Sequence, residues 1–420
     1  MASSSVRPFV GVPIGLRTHD VDSALLGRVA FVDTDGMSGD WERTRKTFAA
    51  MPGVTVPPGP SDLFGRGMQA LFRNVLAGRD VGNGIAALVD DVTFLQACRR
   101  LADDVYAAAL GRYGADRIID ASPTNSAVLE VIGAVYPDAP IVRSAQDAEA
   151  LLAAWREPIG PRDSSSPPPA AIEPPVLVVG VPRSGTTWLQ NMLLAHPGLA
   201  GPANETSIFV SLRALRDNAR RPEGEGVLGW VGLADLLAAM RAFAVTLFAA
   251  WAGDARIVEK TPLHAEHLPL IGELFPEASV IAIHRDGRDV VRSLLEMESA
   301  TDSVAVAAAR WSEITQRVTD TLNSVANARD ERYETLLADP VPRVEELLAW
   351  LGLSVDDTVR AEIGRRAGER VSRYNTTGDV GSGKWESLSA KELRSVYRHA
   401  GARLVALGYI DAVPRRWWRR

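Results

Sequence analysis

In the second half of the chain, short wholly apolar runs alternate with longer stretches of helical period. Val176-Leu177-Val178-Val179 is one such run, too short for a helix and continuous rather than alternating. It predicts a strand over 176–181 buried on both faces. Similar runs predict strands over 256–258 and 280–284. Helices are expected to begin near Thr187, Thr206, Leu233, Leu263 and Asp289, with others over 303–325, 341–352 and 390–408. This alternation implies a parallel sheet covered by helices on both faces, with a ligand at the carboxyl ends of the strands. The most apolar helix, Leu233 to Ala252, is interrupted by Asp235 and Arg241 and closed by Gly253, so a buried helix is expected rather than a membrane span.

The periodicity breaks between Trp155 and Pro175, where prolines and serines dominate. Residues 156–173 read as a linker between an N-terminal domain, 1–155, and a second domain, 174–412, followed by a basic, tryptophan-containing tail, 413–420. The two domains share a pattern. Arg117-Ile118-Ile119-Asp120-Ala121-Ser122-Pro123 parallels Arg256-Ile257-Val258-Glu259-Lys260-Thr261-Pro262, and each is followed by a helix and an aromatic-proline-acidic-alanine turn. Ser61-Asp62-Leu63-Phe64 parallels Thr206-Ser207-Ile208-Phe209. Val142-Arg143 and Asp147 parallel His284-Arg285 and Asp289, and Gly11-Val12-Pro13 parallels Gly180-Val181-Pro182. An old internal duplication is the expectation.

At 420 residues with 46% apolar content, the chain can bury a core in each of two domains. The net charge of −6 with dispersed basic residues argues against a nucleic-acid partner. Cys98 is the single cysteine, which excludes an intrachain disulfide and a cysteine-based metal site. With no apolar leader near Met1, a cytoplasmic protein is expected. Only four of the 46 basic residues are lysines, a bias expected of a high-GC bacterial genome. Two of them, Lys260 and Lys384, fall beside motifs. The tail Arg415-Arg416-Trp417-Trp418-Arg419-Arg420 suits either peripheral contact with an anionic membrane or a frayed terminus.

The strand at 176–181 runs into Gly180-Val181-Pro182-Arg183-Ser184-Gly185-Thr186-Thr187, which has the spacing of a P-loop. In such a loop, backbone N–H groups at a helix N-terminus surround an anionic oxygen cluster. Thr186 stands where an ATPase carries its lysine, so a cation for the β- and γ-phosphates is missing there. Arg183 supplies positive charge from inside the loop instead.

Pro182-Arg183-Ser184-Gly185-Thr186-Thr187-Trp188-Leu189 resembles the phosphosulfate loop of sulfotransferases that use 3′-phosphoadenosine 5′-phosphosulfate (PAPS). Arg285 at a strand end and Ser293 eight positions later are similar to that family's 3′-phosphate motif. Glu259-Lys260-Thr261-Pro262 and Arg332-Tyr333-Glu334 resemble two further family segments. The resemblance implies an α/β, P-loop-like three-layer sulfotransferase fold with a parallel sheet, preceded by a smaller related α/β domain. It implies transfer of a sulfuryl group from PAPS to an acceptor hydroxyl, with no metal.

The expected PAPS site is Arg183, Ser184, Gly185, Thr186, Thr187, Trp188, Arg285, Ser293, Tyr333 and Lys384. Trp188 and Tyr333 are adenine candidates, with core packing as the alternative. The family commonly has a basic-glycine loop before a C-terminal tryptophan. Here Gly378, Asp379 and Val380 occupy those positions, leaving Lys384 or Arg373 to close on the 3′-phosphate.

Arg183 and Lys260 are the expected charge stabilisers. Pro262 replaces the histidine that some relatives use as base, and Glu205 matches the glutamate that others use; the alternative for Glu205 is a glutamate complementing a helix dipole. His264 and His267 are candidates to line the acceptor cleft or ordinary half-buried histidines. In the N-terminal domain Ile14, Gly15 and Leu16 replace Arg183, Ser184 and Gly185. Pro60, Ala121 and Leu151 replace Glu205, Lys260 and Ser293, so a degenerate copy unable to hold PAPS is expected. The acceptor is a small-molecule, glycan or lipid hydroxyl, and oligomeric state is left open. An ATP-dependent kinase and an inactive PAPS-binding or PAP-binding protein (PAP being the desulfated product) are the rivals.

Overall fold

A computed structural model of the chain describes residues 25–37, 41–79, 84–157, 159, 171–219, 226–296, 303–368 and 381–414. In chain order its elements begin with β1 (Val29–Val32), α1 (Trp41–Ala49), β2 (Val54–Thr55), α2 (Gln69–Arg79), α3 (Asp91–Tyr113), β3 (Arg117–Asp120), α4 (Leu129–Val135), β4 (Ile141–Val142) and α5 (Ala145–Ala154). After the linker come β5 (Val176–Gly180), α6 (Thr186–Leu193), β6 (Leu199–Ala200), α7 (Ile208–Asn218), α8 (Val227–Trp230), α9 (Leu233–Ala252), β7 (Arg256–Lys260), α10 (Leu268–Leu274) and β8 (Ser279–His284). The chain continues through α11 (Gly287–Leu295), α12 (Val304–Thr321), β9 (Asn327–Arg332), α13 (Tyr333–Ala338), α14 (Pro340–Trp350), α15 (Asp357–Ala367) and α16 (Ala390–Ala406). Two compact units result, one of Met1–Ala171 with Val210–Trp251, the other of Ile172–Phe209 with Ala252–Arg420. The segment carrying α8 and most of α7 and α9 thus clusters with the N-terminal residues, where the sequence pattern had assigned it to the second domain.

The first unit holds a four-stranded sheet ordered β2-β3-β1-β4, and the second a five-stranded sheet ordered β6-β7-β5-β8-β9. Every pairing in both is parallel. β5 lies at the centre of its sheet and all five of its residues are buried, which is why it reads as a continuous apolar run. One face of this sheet contributes Val176, Val178 and Ile281 to a core closed by Leu189 of α6 and Leu347 of α14. In the first unit α9 buries Leu236, Met240, Phe243, Leu247 and Phe248, although by length and composition it could cross a membrane.

In the first unit β1 pairs with both β3 and β4, as β5 pairs with both β7 and β8. The topological counterpart of the strand before the phosphate loop is therefore Val29–Val32, and the turn after it is Asp33-Thr34-Asp35-Gly36-Met37. The expected counterpart at Gly11-Val12-Pro13, with Ile14, Gly15 and Leu16, lies outside the described residues and does not follow the pairing strand. Asp33 Oδ1 accepts from the Ser126 hydroxyl at 2.7 Å and from the Gly36 N–H at 3.2 Å. An acidic turn of this kind repels an anion.

At the end of β5, a Cβ on Gly180 would come within 2.3 Å of the Ile283 carbonyl oxygen in β8, so only glycine allows the two strands to approach this closely. Gly364 in α15 has only a Val341 methyl at 3.8 Å, an ordinary contact. Gly180→Ala is predicted to destabilise the second unit by about 1–3 kcal/mol through overpacking, and Gly364→Ala to stabilise it by roughly 0.5–1 kcal/mol. Thermal unfolding of the full chain measures both, and an unchanged midpoint for Gly180→Ala would contradict the close approach.

Candidate functional site

β7, β5 and β8 are neighbours, and their carboxyl ends deliver Lys260, the Gly180–Gly185 loop and Arg285 to one edge of the second unit's sheet. The loop is bent by two residues with positive φ, Arg183 at 77° and Gly185 at 97°. Glycine adopts this conformation freely, whereas for arginine it costs on the order of 1–3 kcal/mol and is typical of ligand-binding turns. Gly185 caps α6 without any side-chain acceptor, so the first N–H groups of the helix, at Thr186 and Thr187, are directed at whatever fills the loop. Ser184 is fully buried and its hydroxyl has no hydrogen-bond partner.

Arg183 and Arg285 converge on this loop. Arg183 Nε donates to the Ser293 hydroxyl at 3.0 Å, so the two residues expected at opposite phosphates are in direct contact. Burial, reinforced by the neighbouring charge of Arg285, pushes the Arg183 guanidinium below its ordinary pKa. Arg285 is 6% exposed. It donates to Asp289 Oδ2 at 3.2 Å and to the Gly381 carbonyl at 2.7 Å, and its guanidinium lies 4.9 Å from the centre of the Tyr333 ring. Its Nε is buried without a partner. A buried donor and a buried hydroxyl left unsatisfied beside two guanidinium groups fit a polyanionic ligand with two phosphate-type ends.

Lys260 is 1% exposed and its Nζ lies 3.2 Å from Glu205 Oε1, while Glu205 is 30% exposed. Lys260 is therefore a buried strand-end cation rather than a solvent-exposed one. Glu205 lies three residues before the start of α7, paired with a buried cation.

Trp188 and Tyr333 depart from the adenine expectation. They are 5% and 4% exposed and pack edge to face at 5.8 Å in the hydrophobic core. Tyr333 lies so close to Gly185 that a Cβ there would meet its ring at 2.4 Å. It supports the loop and the Arg285 guanidinium rather than offering an open face. His264 does not line a cleft either. It is fully buried, with Nδ1 2.9 Å from Glu259 Oε2 and Nε2 receiving the Phe209 N–H at 3.3 Å.

Lys384 opens a short 3₁₀ turn that is anchored to the site through its neighbours: Asp289 accepts from the N–H groups of Gly383 at 2.9 Å and Trp385 at 2.8 Å. Arg373, Gly378, Asp379, Val380 and the basic tail lie outside the described residues. Asp289 was not singled out for the site from sequence. Its place one helical turn after Arg285 was the available signal, since i,i+4 Arg and Asp side chains meet on a helix face.

A model of the sulfotransferase family matches residues 174–357. The chain carries a sulfotransferase-family domain. Protein-tyrosine sulfotransferase 2 of Gallus gallus is 27% identical over 56% of this chain and 69% of its own length. Nodulation protein NoeE of Sinorhizobium fredii is 25% identical over 55% of this chain and 65% of its own. A sulfotransferase from Alicyclobacillus acidocaldarius is 20% identical, covering 59% of this chain and 100% of that one, with a TM-score of 0.34. The match to protein-tyrosine sulfotransferase 1 of Danio rerio takes in 61% of that protein. The curated relatives thus extend beyond what this chain aligns with, and the family match leaves the N-terminal unit unassigned.

In the sulfotransferase domain, His284 directly precedes Arg285 and is hydrogen-bonded through Nδ1 to the Tyr409 hydroxyl at 2.7 Å. Burial first, then the charges of Arg332 and Arg403, lowers its pKa to about 4. A histidine kept neutral in the folded state contributes stability that is fully present above its unfolded pKa of about 6.5 and lost as pH falls through the folded value. The fold is predicted to lose on the order of 3 kcal/mol between about pH 6.5 and pH 4 from this group. Urea unfolding across that range measures it. A His284→Gln variant showing the same slope as the wild type would contradict the assignment.

Proposed function

We propose that the domain over 174–412 transfers a sulfuryl group from PAPS to an acceptor hydroxyl. The observation that carries this reading is the pairing of Lys260 with Glu205 at the same sheet edge as a phosphate loop whose buried Ser184 hydroxyl and Arg285 Nε are unsatisfied. The loop N–H groups, Arg183, Ser184, Thr186 and Thr187 would hold the 5′ end, and Arg285 with Ser293 the 3′-phosphate. When bound, PAPS supplies a sulfuryl group attached to a phosphate leaving group.

Glu205 takes the proton of the acceptor hydroxyl as the new S–O bond forms. Lys260 and Arg183 stabilise the negative charge that appears on the phosphate oxygen as the old S–O bond breaks. An anion entering the loop draws Lys260 toward itself and releases Glu205, which favours donor binding before acceptor. The names of the relatives, a protein-tyrosine sulfotransferase and a nodulation protein, share no acceptor, and the acceptor is proposed only as a glycan, lipid or specialised-metabolite hydroxyl. The proposed compartment is the cytoplasm, supported by the single, buried Cys98. The first unit is proposed to be a degenerate copy, supported by its matching strand order and by Pro60, Ala121 and an acidic turn in place of Glu205, Lys260 and the phosphate loop.

Calorimetry with PAP (3′-phosphoadenosine 5′-phosphate) and with ADP tests the donor site. PAP is expected to bind at least tenfold more tightly, and Arg285→Ala to abolish the difference. Equal affinity would reject PAPS as donor. Glu205→Gln is predicted to slow transfer from labelled PAPS by about 10²–10⁴-fold, read both on a panel of hydroxyl acceptors and as sulfate release to water. PAP affinity should stay within about twofold, and retained turnover would remove Glu205 as the base.

A further inference from the structure

Behind the Lys260–Glu205 pair sits a buried carboxylate that the proposed reaction does not use. Glu259 is fully buried. Its Oε1 accepts from the Thr206 hydroxyl at 2.7 Å and the Thr261 hydroxyl at 2.6 Å, and its Oε2 faces His264 Nδ1 at 2.9 Å. Because the Phe209 N–H points at Nε2, the imidazole is the neutral tautomer with its proton on Nδ1, donated to Glu259. The Thr261 hydroxyl, having spent its proton on Glu259, accepts from the backbone N–H groups of Thr206 and Ser207, each at 3.1 Å. One donor and two lone pairs are all a hydroxyl has, so this oxygen is saturated. The two amides it holds immediately follow Glu205, and Ser207 is forced to a left-handed φ of 52°. Alternation along the strand turns Lys260 away from Glu259 and Thr261, and it meets Glu205.

The first unit contains the same wiring without the chemistry. Asp120 is fully buried and accepts from the Ser61 hydroxyl at 2.6 Å and the Ser122 hydroxyl at 2.5 Å. Ser122 Oγ accepts from the N–H groups of Ser61 at 2.9 Å and Asp62 at 3.1 Å, and Asp62 has a φ of 51°. Asn125 takes the place of His264, donating to Asp120. Pro60 precedes this loop where Glu205 precedes the other, and Ala121 replaces Lys260. The same turn is therefore made in two settings, and only one presents a carboxylate and an amine. The first unit serves as an internal reference for what the network does to stability alone.

We propose that Thr261, oriented by Glu259 and backed by His264, is the positioning residue that fixes the Glu205 backbone so that its carboxylate meets Lys260 and the acceptor. The proposal rests on the reading of Glu205 as base. Thr261→Val keeps the shape and removes the hydroxyl; Thr261→Ser keeps the hydroxyl; Ser122→Ala makes the equivalent deletion in the first unit. In the full-length protein, sulfate release from labelled PAPS and PAP affinity are measured for each, with amide hydrogen exchange over 204–208.

Thr261→Val is expected to lower kcat at least tenfold with PAP affinity within twofold, and to speed exchange at Thr206 and Ser207. Thr261→Ser should restore both. Ser122→Ala should lower the melting temperature with kcat unchanged. Unchanged exchange at Thr206 and Ser207 in Thr261→Val overturns the positioning role even if the protein proves not to be a PAPS enzyme. Wild-type kcat in Thr261→Val beside an inactive Glu205→Gln overturns it while leaving the base in place. Loss of kcat in Ser122→Ala equal to that in Thr261→Val would mean that both networks act only through stability.

Discussion

Two guanidinium groups drawn to one phosphate loop, Arg285 buried and Arg183 half-buried, set the terms for the candidate site. Arg183 and Arg285 are close enough that the charge of the second works against that of the first, and both are largely withdrawn from water. Such a pair is unfavourable unless other groups compensate it. Asp289 and the Gly381 carbonyl do so for Arg285, with the face of Tyr333 against its guanidinium. Arg183 has a hydroxyl, Ser293, and the left-handed backbone that points it there. Asp289 also captures two amides of the segment leading to Trp385, so the carboxylate that offsets a binding-site charge fastens the C-terminal part of the chain to that site. The remaining positive charge, together with the unsatisfied Ser184 hydroxyl, makes an anion the natural complement of the loop.

The features legible in the sequence were those with a fixed spacing or an unbroken apolar run. β5, β7 and β8 were readable because they are central and buried, and the phosphate loop because a positive φ at Gly185 and close approach at Gly180 demand glycine at set positions. β9, with the sequence Asn-Ala-Arg-Asp-Glu-Arg, was not readable. As an edge strand it is half exposed, and backbone pairing to β8 rather than side-chain burial defines it. The aromatic rings misled for a related reason. Whether Trp188 and Tyr333 face a ligand or each other depends on α13 folding back onto α6, which local sequence does not encode. The Glu259 network was hidden because Thr, Ser and His have too many structural uses for their spacing to mean anything alone; what exposes it is its repetition around Asp120.

That repetition separates two demands on the second unit. A parallel sheet needs its strand-end loops turned in a particular way, and a buried carboxylate with a saturated hydroxyl does this in both units. The chemistry needs charged side chains mounted on those turns, and these are present in only one. In the first unit the corresponding space is used for packing. Tyr106 donates to Asp120 at 2.7 Å, Phe31 and Tyr136 pack edge-on against Tyr106, and Phe64 packs edge-on against both of them.

The contrast also explains why a histidine is a poor candidate for the base despite lying three residues after the Lys-Thr motif. His264 is committed at both ring nitrogens, one to Glu259 and one to a backbone amide, and taking up a proton would break the contact with Phe209. Glu205 has neither restriction. Its carboxylate is partly open to solvent and is paired with the Lys260 amine at 3.2 Å. On the proposed reading of Glu205 as base, its ion pair with Lys260 would link occupancy of the phosphate loop to activation of the acceptor.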